Sequence, residues 1–450
     1  MTMFDQQKSI QSLHGVPVGR IFGAAFITQF CMGLECLFRI NAATSIKAEF
    51  FDVVDPLTSG VHIGEILGVL FLGFAIANFV MAAFVDVIGM KRLHALSLVA
   101  YLVGTAVICI ARPGSASAYW LLWGGSLLQG LAWGSIESVL NPLVVSLYPT
   151  RKVAKLNLFH AAYALGMLSA APICVLIARY GPGWRFQLAL VFIPAAIALL
   201  LISRLSYPPS ERIVHGVSFL GMFRRTLTSP LFYLCLCAMF FTTASELVPS
   251  SWMDLTLTKV VGIQGFWLVA FIYSMHVVVR LFAGWLNRHL GSAGILMLAS
   301  MFVLVGLLVL SHAHDPMRGL IGAMLFGMGT AVMWPTALAA ASERFPAGGS
   351  FAIGAIASAG MLSTYVLMPV FGALFDRARI HAAGGEAAFK ALTPSSPAFD
   401  HAMVAAATSI FQWAAVMPAL TLVFFAALRW HDSRRRSHRD ELAGAAVLSE

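Results

Sequence analysis

Twelve apolar stretches of about 20 residues or more run through this chain of 450 residues and limit the folds it can adopt. Each is long enough to cross a hydrocarbon core about 30 Å thick. Inside a bilayer the backbone must satisfy its own polar groups, so each stretch is predicted to be a helix; the alternation typical of a membrane β-barrel is absent. The predicted spans are 20–45, 61–87, 93–111, 117–147, 155–180, 185–205, 229–254, 263–288, 294–312, 318–343, 349–376 and 403–430.

The composition favours the same class of protein. Hydrophobic residues make up 59% of the chain and charged residues 11%, against about 45–50% and about 25% in soluble domains. The net charge of +9 is explained by basic cytoplasmic loops, so no nucleic-acid partner is predicted. The six cysteines lie in apolar stretches without metal-site spacing and are expected to pack as small hydrophobic residues. No metal or other cofactor and no cleavable signal peptide is predicted.

Lys and Arg predict the orientation of the spans. Twelve spans place both termini on one side. If that side is the cytoplasm, the cytoplasmic segments hold roughly 18 of the 29 Lys and Arg residues, against about 9 outside. We therefore expect an integral protein of the bacterial inner (plasma) membrane, with both termini in the cytoplasm.

A polar, Pro-containing stretch divides the chain into halves of similar length. It predicts an N-terminal six-helix bundle at 1–205, a cytoplasmic linker at 206–228, and a C-terminal six-helix bundle with a basic cytoplasmic tail at 229–450. Segment 377–402 is expected to be a long external loop. Similar features recur in both halves at nearly constant offsets: a polar turn with Gly and basic residues after spans two and eight, Trp133 and Trp334 in spans four and ten, and Glu35 and Glu246 in spans one and seven.

The turn after span two has the pattern Asp86-x-x-Gly89-x-Lys91-Arg92. It resembles the loop signature of the major facilitator superfamily, and this implies two six-helix bundles that rock around a central cavity. Gly89 permits a tight turn, and Asp86 can pair with a cation of a neighbouring helix when the inner side is closed. We interpret these four residues as a gate; a basic cytoplasmic loop with no further role is the alternative. Arg280 in span eight is also assigned to gating.

Span four carries Gln129, Trp133, Glu137 and Asn141 at every fourth position, a polar stripe on an otherwise apolar helix. Ionisable groups in a membrane are costly and usually serve function. Because burial disfavours the charged carboxylate, Glu137 could gain and lose a proton near neutral pH. It could carry a coupling proton or bind a sugar hydroxyl; the alternative is a carboxylate locked to an internal cation such as Arg39.

A closer resemblance follows from Glu137-Ser-Val-Leu-Asn141-Pro142, then Leu156-Asn157-Leu158 and Leu165-Gly166. These motifs resemble the fourth and fifth helices of the fucose–proton symporter family. The resemblance implies proton-coupled uptake of a sugar-like solute, with Glu137 in the binding or coupling role. His160 and Tyr163 replace amides of that family, so a larger or acidic solute is also plausible.

Four further groups complete the candidate site for solute or protons. Glu35 and Arg39 are spaced to pair on one face of span one, although Arg39 could instead bind a substrate carboxylate. His160 could shuttle protons or simply pack. Glu246 and His276 are expected to face the cavity from the other half.

Secondary active transport of a small polar solute, driven by protons, is therefore the predicted function. The expected partners are the solute, protons and membrane lipid, and a monomer is the expected state. A proton-driven exporter of drugs or metabolites, a lipid flippase and a non-transporting sensor remain alternatives. An enzyme has the least support, because no Walker loop, HExxH motif or nucleophile elbow occurs.

Overall fold

A computed structural model describes residues 10–54, 59–261, 265–393 and 396–447, and no strand occurs in these ranges. A π-helical turn, Lys47–Phe51, extends the first helix, and a 3-10 turn, Pro346–Gly348, precedes α13. The α-helices are α1 Val18–Ile46, α2 Ser59–Ile88, α3 Met90–Ile110, α4 Ala118–Leu147, α5 Lys152–Tyr180, α6 Gly183–Ala189, α7 Phe192–Ser203, α8 Glu211–Val214, α9 Phe219–Leu227, α10 Pro230–Val261, α11 Gly265–Leu310, α12 Pro316–Arg344, α13 Gly349–Ala382, α14 Glu386–Ala391, α15 Pro397–Ala414 and α16 Val416–Val447.

Ten segments within the described ranges are long and apolar enough to cross a membrane. One of them, Ala270–Leu310, contains two predicted spans, which separate at Gly291, where the backbone leaves the helical conformation (φ 69°). Helix α4 is not among the ten because its Gly, Gln, Glu and Asn residues lower its hydropathy. When Ala270–Leu310 is counted as two spans and α4 is added, the helices match the twelve predicted spans. The all-α fold with two six-helix bundles is confirmed.

Spans six and twelve are each broken, where the sequence predicted single helices. Span six comprises α6 and α7, and span twelve comprises α15 and α16. Pro194 and Pro418 lie in the first turn after each break. Proline has no N–H for the previous turn and its ring clashes with that turn, so a new helix begins there. Segment 377–402 also differs from the predicted loop, because α13 continues to Ala382 and α14 follows.

Glycines allow the helices of the N-terminal bundle to approach closely. A Cβ atom added to Gly33 of α1 would collide with the backbone carbonyl of Tyr163 on α5, and one added to Gly166 would collide with that of Phe30. Gly130 of α4 lies in the same way against Leu70 of α2. Such contacts between small residues and backbone are how membrane helices pack without a hydrophobic driving force.

The two bundles touch at the helix ends nearest the segment between α7 and α10; we call this the linker side. There Gly354 of α13 packs on Ala82 of α2, and Gly284 of α11 packs on Ala154 of α5. The structure is therefore closed on the linker side. The linker itself contains the short helices α8 and α9; the limits 1–205, 206–228 and 229–450 remain a prediction.

Candidate functional site

Four polar side chains meet in the middle of the N-terminal bundle. The Gln29 Nε2 atom donates to Glu137 Oε1 at 2.9 Å and lies 3.2 Å from His160 Nδ1. The Asn141 Nδ2 atom donates to Glu137 Oε2 at 2.5 Å, and Asn141 Oδ1 lies 2.9 Å from His160 Nε2. All four residues are buried. Helices α1, α4 and α5 thus build one closed hydrogen-bond network, which we call the Glu137 network.

The alternative considered for Glu137, a carboxylate locked to Arg39, does not occur in the structure. The Glu137 carboxylate accepts from two neutral amides, whereas Arg39 donates to Gln129, Ser126 and the Ile66 carbonyl. An amide-bound carboxylate has no counter-charge in these contacts. It can therefore change protonation state without breaking an ion pair.

Gln129 belongs to a second network instead of the stripe predicted with Glu137. Eight residues along a helix with 3.6 residues per turn rotate a side chain by about 80°. This rotation carries Gln129 into the bundle interior. Its Nε2 donates to Glu35 and to Thr105 Oγ1, and its Oε1 accepts from Arg39. In this part of the described chain Glu35 and Arg39 are joined through Gln129 rather than paired directly, which corrects the predicted contact.

A chain of aromatic rings crosses from one bundle to the other. Phe74 packs edge-on against Trp133 and Trp334, with centroids 5.4 and 6.3 Å away. Trp133 stacks on Tyr163 at 6.0 Å, and Tyr163 meets Tyr273 of the other bundle at 6.4 Å. Trp133 and Trp334, which occupy corresponding positions in the internal repeat, thus lie on one aromatic wall. Flat apolar rings with polar edges suit the faces of a sugar ring.

Arg280 ties the two bundles together beside this wall. Its Nη1 donates to the His160 carbonyl of α5 at 2.6 Å, and its Nε donates to the Ala331 carbonyl of α12 at 2.6 Å. His160 is part of the Glu137 network, so the guanidinium connects that network to the C-terminal bundle. Glu246 of α10 is partly exposed. Glu35, its repeat partner, is instead fully buried inside its own bundle.

Of two other predicted residues, Asn157 lies at the same interface, and His276 makes its contact within the C-terminal bundle. His276 Nε2 is 3.0 Å from Thr330 Oγ1, and no residue in the described ranges forms a hydrogen bond with its Nδ1. The Asn157 Nδ2 atom donates across the interface to Thr336 Oγ1 at 3.0 Å. Asn157 therefore holds α5 to α12, closer to the linker side than the Glu137 network.

The predicted gate lies on the linker side, and Asp86 pairs there with a cation of a short helix of the linker. Its Oδ2 accepts from Arg212 Nε at 2.5 Å, and Arg212 belongs to linker helix α8 rather than to a neighbouring span. Gly89 makes the tight turn after α2 with φ 91°. Lys91 donates to the Ser203 carbonyl at 2.9 Å, and Arg92 is exposed.

A second ion pair in the linker was missed by sequence reasoning. Lys152 Nζ lies 2.8 Å from Glu211 Oε1 and donates to Ser342 Oγ at 2.9 Å. The Lys–Glu contact lacks hydrogen-bond geometry, so it is electrostatic. Both side chains are buried, at 4% and 6% exposed. Adjacent linker residues Glu211 and Arg212 thus hold two helices of the N-terminal bundle; we call these two ion pairs the linker latch. The sequence shows charged residues in segments 149–155 and 206–212, but it does not show which of these charges pair.

Solved structures with similar folds include sugar symporters. The proton:xylose symporter XylE bound to 6-bromo-6-deoxy-D-glucose matches with TM-score 0.75 and 14% identity, covering 91% of this chain and 95% of that chain. A variant of the E. coli fucose:proton symporter FucP gives 0.64 and 16%, covering 89% and 98%. The human organic anion transporter MFSD10 gives 0.64 and 13%, covering 91% and 99%. At these identities the likeness establishes the fold alone.

Sequence comparison gives the family. No protein of curated function matches the chain. The profile of the Major Facilitator Superfamily matches residues 21–367, which is most of the chain and includes the Glu137 network, the aromatic wall and Asp86 of the latch. With the twelve-span fold, this match shows that the chain belongs to the Major Facilitator Superfamily.

Proposed function

We propose that this transporter takes up a small polar solute, sugar or sugar-like, together with protons. The observation that carries the proposal is the Glu137 network, in which two neutral amides hold a buried carboxylate. His160, another member of this network, accepts through its backbone carbonyl from Arg280 of the opposite bundle. A carboxylate without a fixed counter-charge inside a transporter is suited to carrying a proton.

The network also contains an acceptor for the protonated form. In the present amide orientation, an ionised Glu137 accepts a hydrogen bond from Gln29 Nε2. Among the described residues, the buried Gln29 Oε1 has no hydrogen-bond partner. Rotating that amide would turn Oε1 toward a protonated Glu137, where Oε1 would accept a hydrogen bond from the carboxylic O–H. The rotation would also change the contact with His160. Protonation of Glu137 would thus change the contacts of His160, the residue whose carbonyl Arg280 binds.

The solute is proposed to bind against the aromatic wall. Trp133 and Tyr163 offer ring faces, and His276, Glu246 and Arg280 offer polar groups from the other bundle. Hydroxyl groups of a sugar can satisfy such groups, and ring faces can pack on its C–H bonds. Similarly folded proteins that carry xylose and fucose are consistent with this class of solute.

Alternating access would proceed by rocking of the bundles around this site. With the termini and linker in the cytoplasm, as the Lys and Arg distribution predicts, the present state is closed to the cytoplasm. Solute and proton would then enter from outside, and the linker latch and the Arg280 contacts would break to release them inside. We propose a monomer in a bacterial inner membrane as the working unit.

Proteoliposomes with a trapped pH dye test the proposal. Sugars, sugar acids and small carboxylates are added singly, and we expect one class to acidify the lumen. Glu137→Gln should abolish this acidification and gradient-driven accumulation, while binding or exchange is partly kept. Glu386→Gln is the matched control, because that carboxylate lies exposed on α14 beside Lys390.

Two outcomes would overturn the proposal. Full acidification in Glu137→Gln would remove Glu137 from proton coupling. No response to any compound by folded, correctly inserted protein would reject proton-coupled uptake and favour export of an apolar solute or lipid movement.

A further inference from the structure

Helix α9 in the linker has three distinct sides. Ser218 caps its start by accepting from the Gly221 N–H at 3.1 Å. Met222 and Thr226 are buried against the protein, at 1% exposed each. The remaining surface is divided between apolar and basic residues, so this helix is more than a connection between bundles.

The apolar edge of α9 is exposed. Leu220 is 76% exposed, Leu227 43% and Phe219 39%. Positions 220 and 227 are seven residues apart and share one face of the helix. Exposed apolar patches usually mark interaction sites, so we expect this edge of the linker helix to contact another molecule.

This edge continues the surface that faces the bilayer. The ring of Phe219 lies 6.0 Å from that of Phe84, which is 43% exposed and one turn before the end of α2. The candidate membrane span of α2 runs from Val61 to Ile88, so Phe84 lies in its last turns on the linker side. The apolar edge of α9 therefore lies at the level of the bilayer boundary.

Basic side chains lie on the rest of the exposed surface. Arg224 and Arg225 are both exposed in the last turns of α9. A short helix with an apolar edge and a basic face is the pattern of a segment lying in the membrane interface, where cations attract acidic headgroups. Phe223 holds the helix in place by packing on Phe351 of α13 at 4.6 Å.

We propose that α9 lies in the interface of the linker-side leaflet and binds anionic phospholipid. Leu220 and Leu227 enter the outer acyl region, and Arg224 and Arg225 bind the headgroup phosphates. The bond from Arg212 Nη1 to the Val217 carbonyl, 2.8 Å long, joins this helix to the linker latch. The lipid would thus be bound next to the gate.

Hydrogen exchange of the full chain in nanodiscs tests this site. Amides of 220–227 are compared in pure phosphatidylcholine and in phosphatidylcholine mixed with phosphatidylglycerol. Each Arg near an anionic surface strengthens attraction about fivefold. We expect exchange to slow by up to about 30-fold with phosphatidylglycerol, and the slowing to shrink at high salt. The double variant Arg224→Gln/Arg225→Gln should lose it, and Arg224→Lys/Arg225→Lys should keep it.

The control removes the same charge elsewhere. Arg112→Gln/Arg318→Gln changes two exposed arginines at the side opposite the linker and should leave the slowing at 220–227 intact. Equal exchange in the two lipids would overturn the proposal. Slowing that persists in the Gln double variant would also overturn it, because binding would then not depend on these side chains.

Discussion

Removing Glu211 should shift the transporter toward the linker-open state. Taking away one member of a buried ion pair costs about 3–5 kcal/mol, because the other charge is left buried. Lys152 would keep its bond to Ser342, and its contact with Glu211 is electrostatic without hydrogen-bond geometry. We therefore take the lower limit, about 3 kcal/mol, for Glu211→Gln. If opening lets Lys152 reach water, the variant destabilises only the closed state. The equilibrium between the closed and open states then shifts toward the open state by about 150-fold.

Spin labels on the two bundles measure this shift. Arg151 directly precedes α5, Arg288 lies just before the Gly291 break in α11, and both are exposed on the linker side. Cysteines at these positions, in a background without native cysteines, report the opening as a distance distribution. We expect a new long-distance population in Glu211→Gln. The exchange Lys152→Glu/Glu211→Lys should restore the short distances, since it keeps opposite charges at both positions.

The control is an exposed pair away from the gate. Glu386→Gln breaks the pair with Lys390, whose side chains are 68% and 73% exposed, and should leave the distances unchanged. An unaltered distribution in both Glu211→Gln and Lys152→Met would refute the latch, because either change leaves one charge buried alone.

Two predictions concern stability in detergent. Gly33→Ala should lower the thermal midpoint, because the added methyl group overpacks α1 against the Tyr163 carbonyl at a cost of about 1–3 kcal/mol. Gly124 has open space around it, so Gly124→Ala should leave the midpoint unchanged. Equal midpoints in the two variants would contradict the close helix contact. Arg185→Gln should also lower the midpoint, because Arg185 bonds the Cys109 and Ala111 carbonyls at the end of α3 as well as Glu49. Glu49→Gln removes the partly exposed ion pair but keeps an amide oxygen that can accept from Trp184 Nε1, so its midpoint should fall less. The reverse order would contradict this account.

The spans could be predicted from the sequence, because burial in a bilayer requires long apolar helices whatever their tertiary contacts. The breaks could not. Pro194 and Pro418 follow a break, but Pro142 and Pro172 lie inside continuous helices. Neighbouring helices can compensate the backbone groups that a proline leaves unpaired, so local sequence does not say which proline bends the chain.

The candidate site was predictable only where its residues are close in sequence. Glu137 and Asn141 are one turn apart, and their contact follows from helix geometry. Gln29 was missed because a single amide in an apolar helix has no neighbour in the sequence pattern, and its partner lies 108 residues away. The linker latch was missed for the same reason: charge is visible in sequence, but the pairing of distant charges is set by the packing of the bundles.

The position of the latch charges within the chain also affects how fast they can pair. Glu211 follows Ser203, the last residue of α7, by a stretch that can reach at most about 28 Å when fully extended. Glu211 therefore stays near Lys152 even when the gate is open, at an effective concentration in roughly the millimolar range. Pairing is a local event within one molecule, independent of protein concentration. We expect latch closure to follow bundle movement without a separate search step.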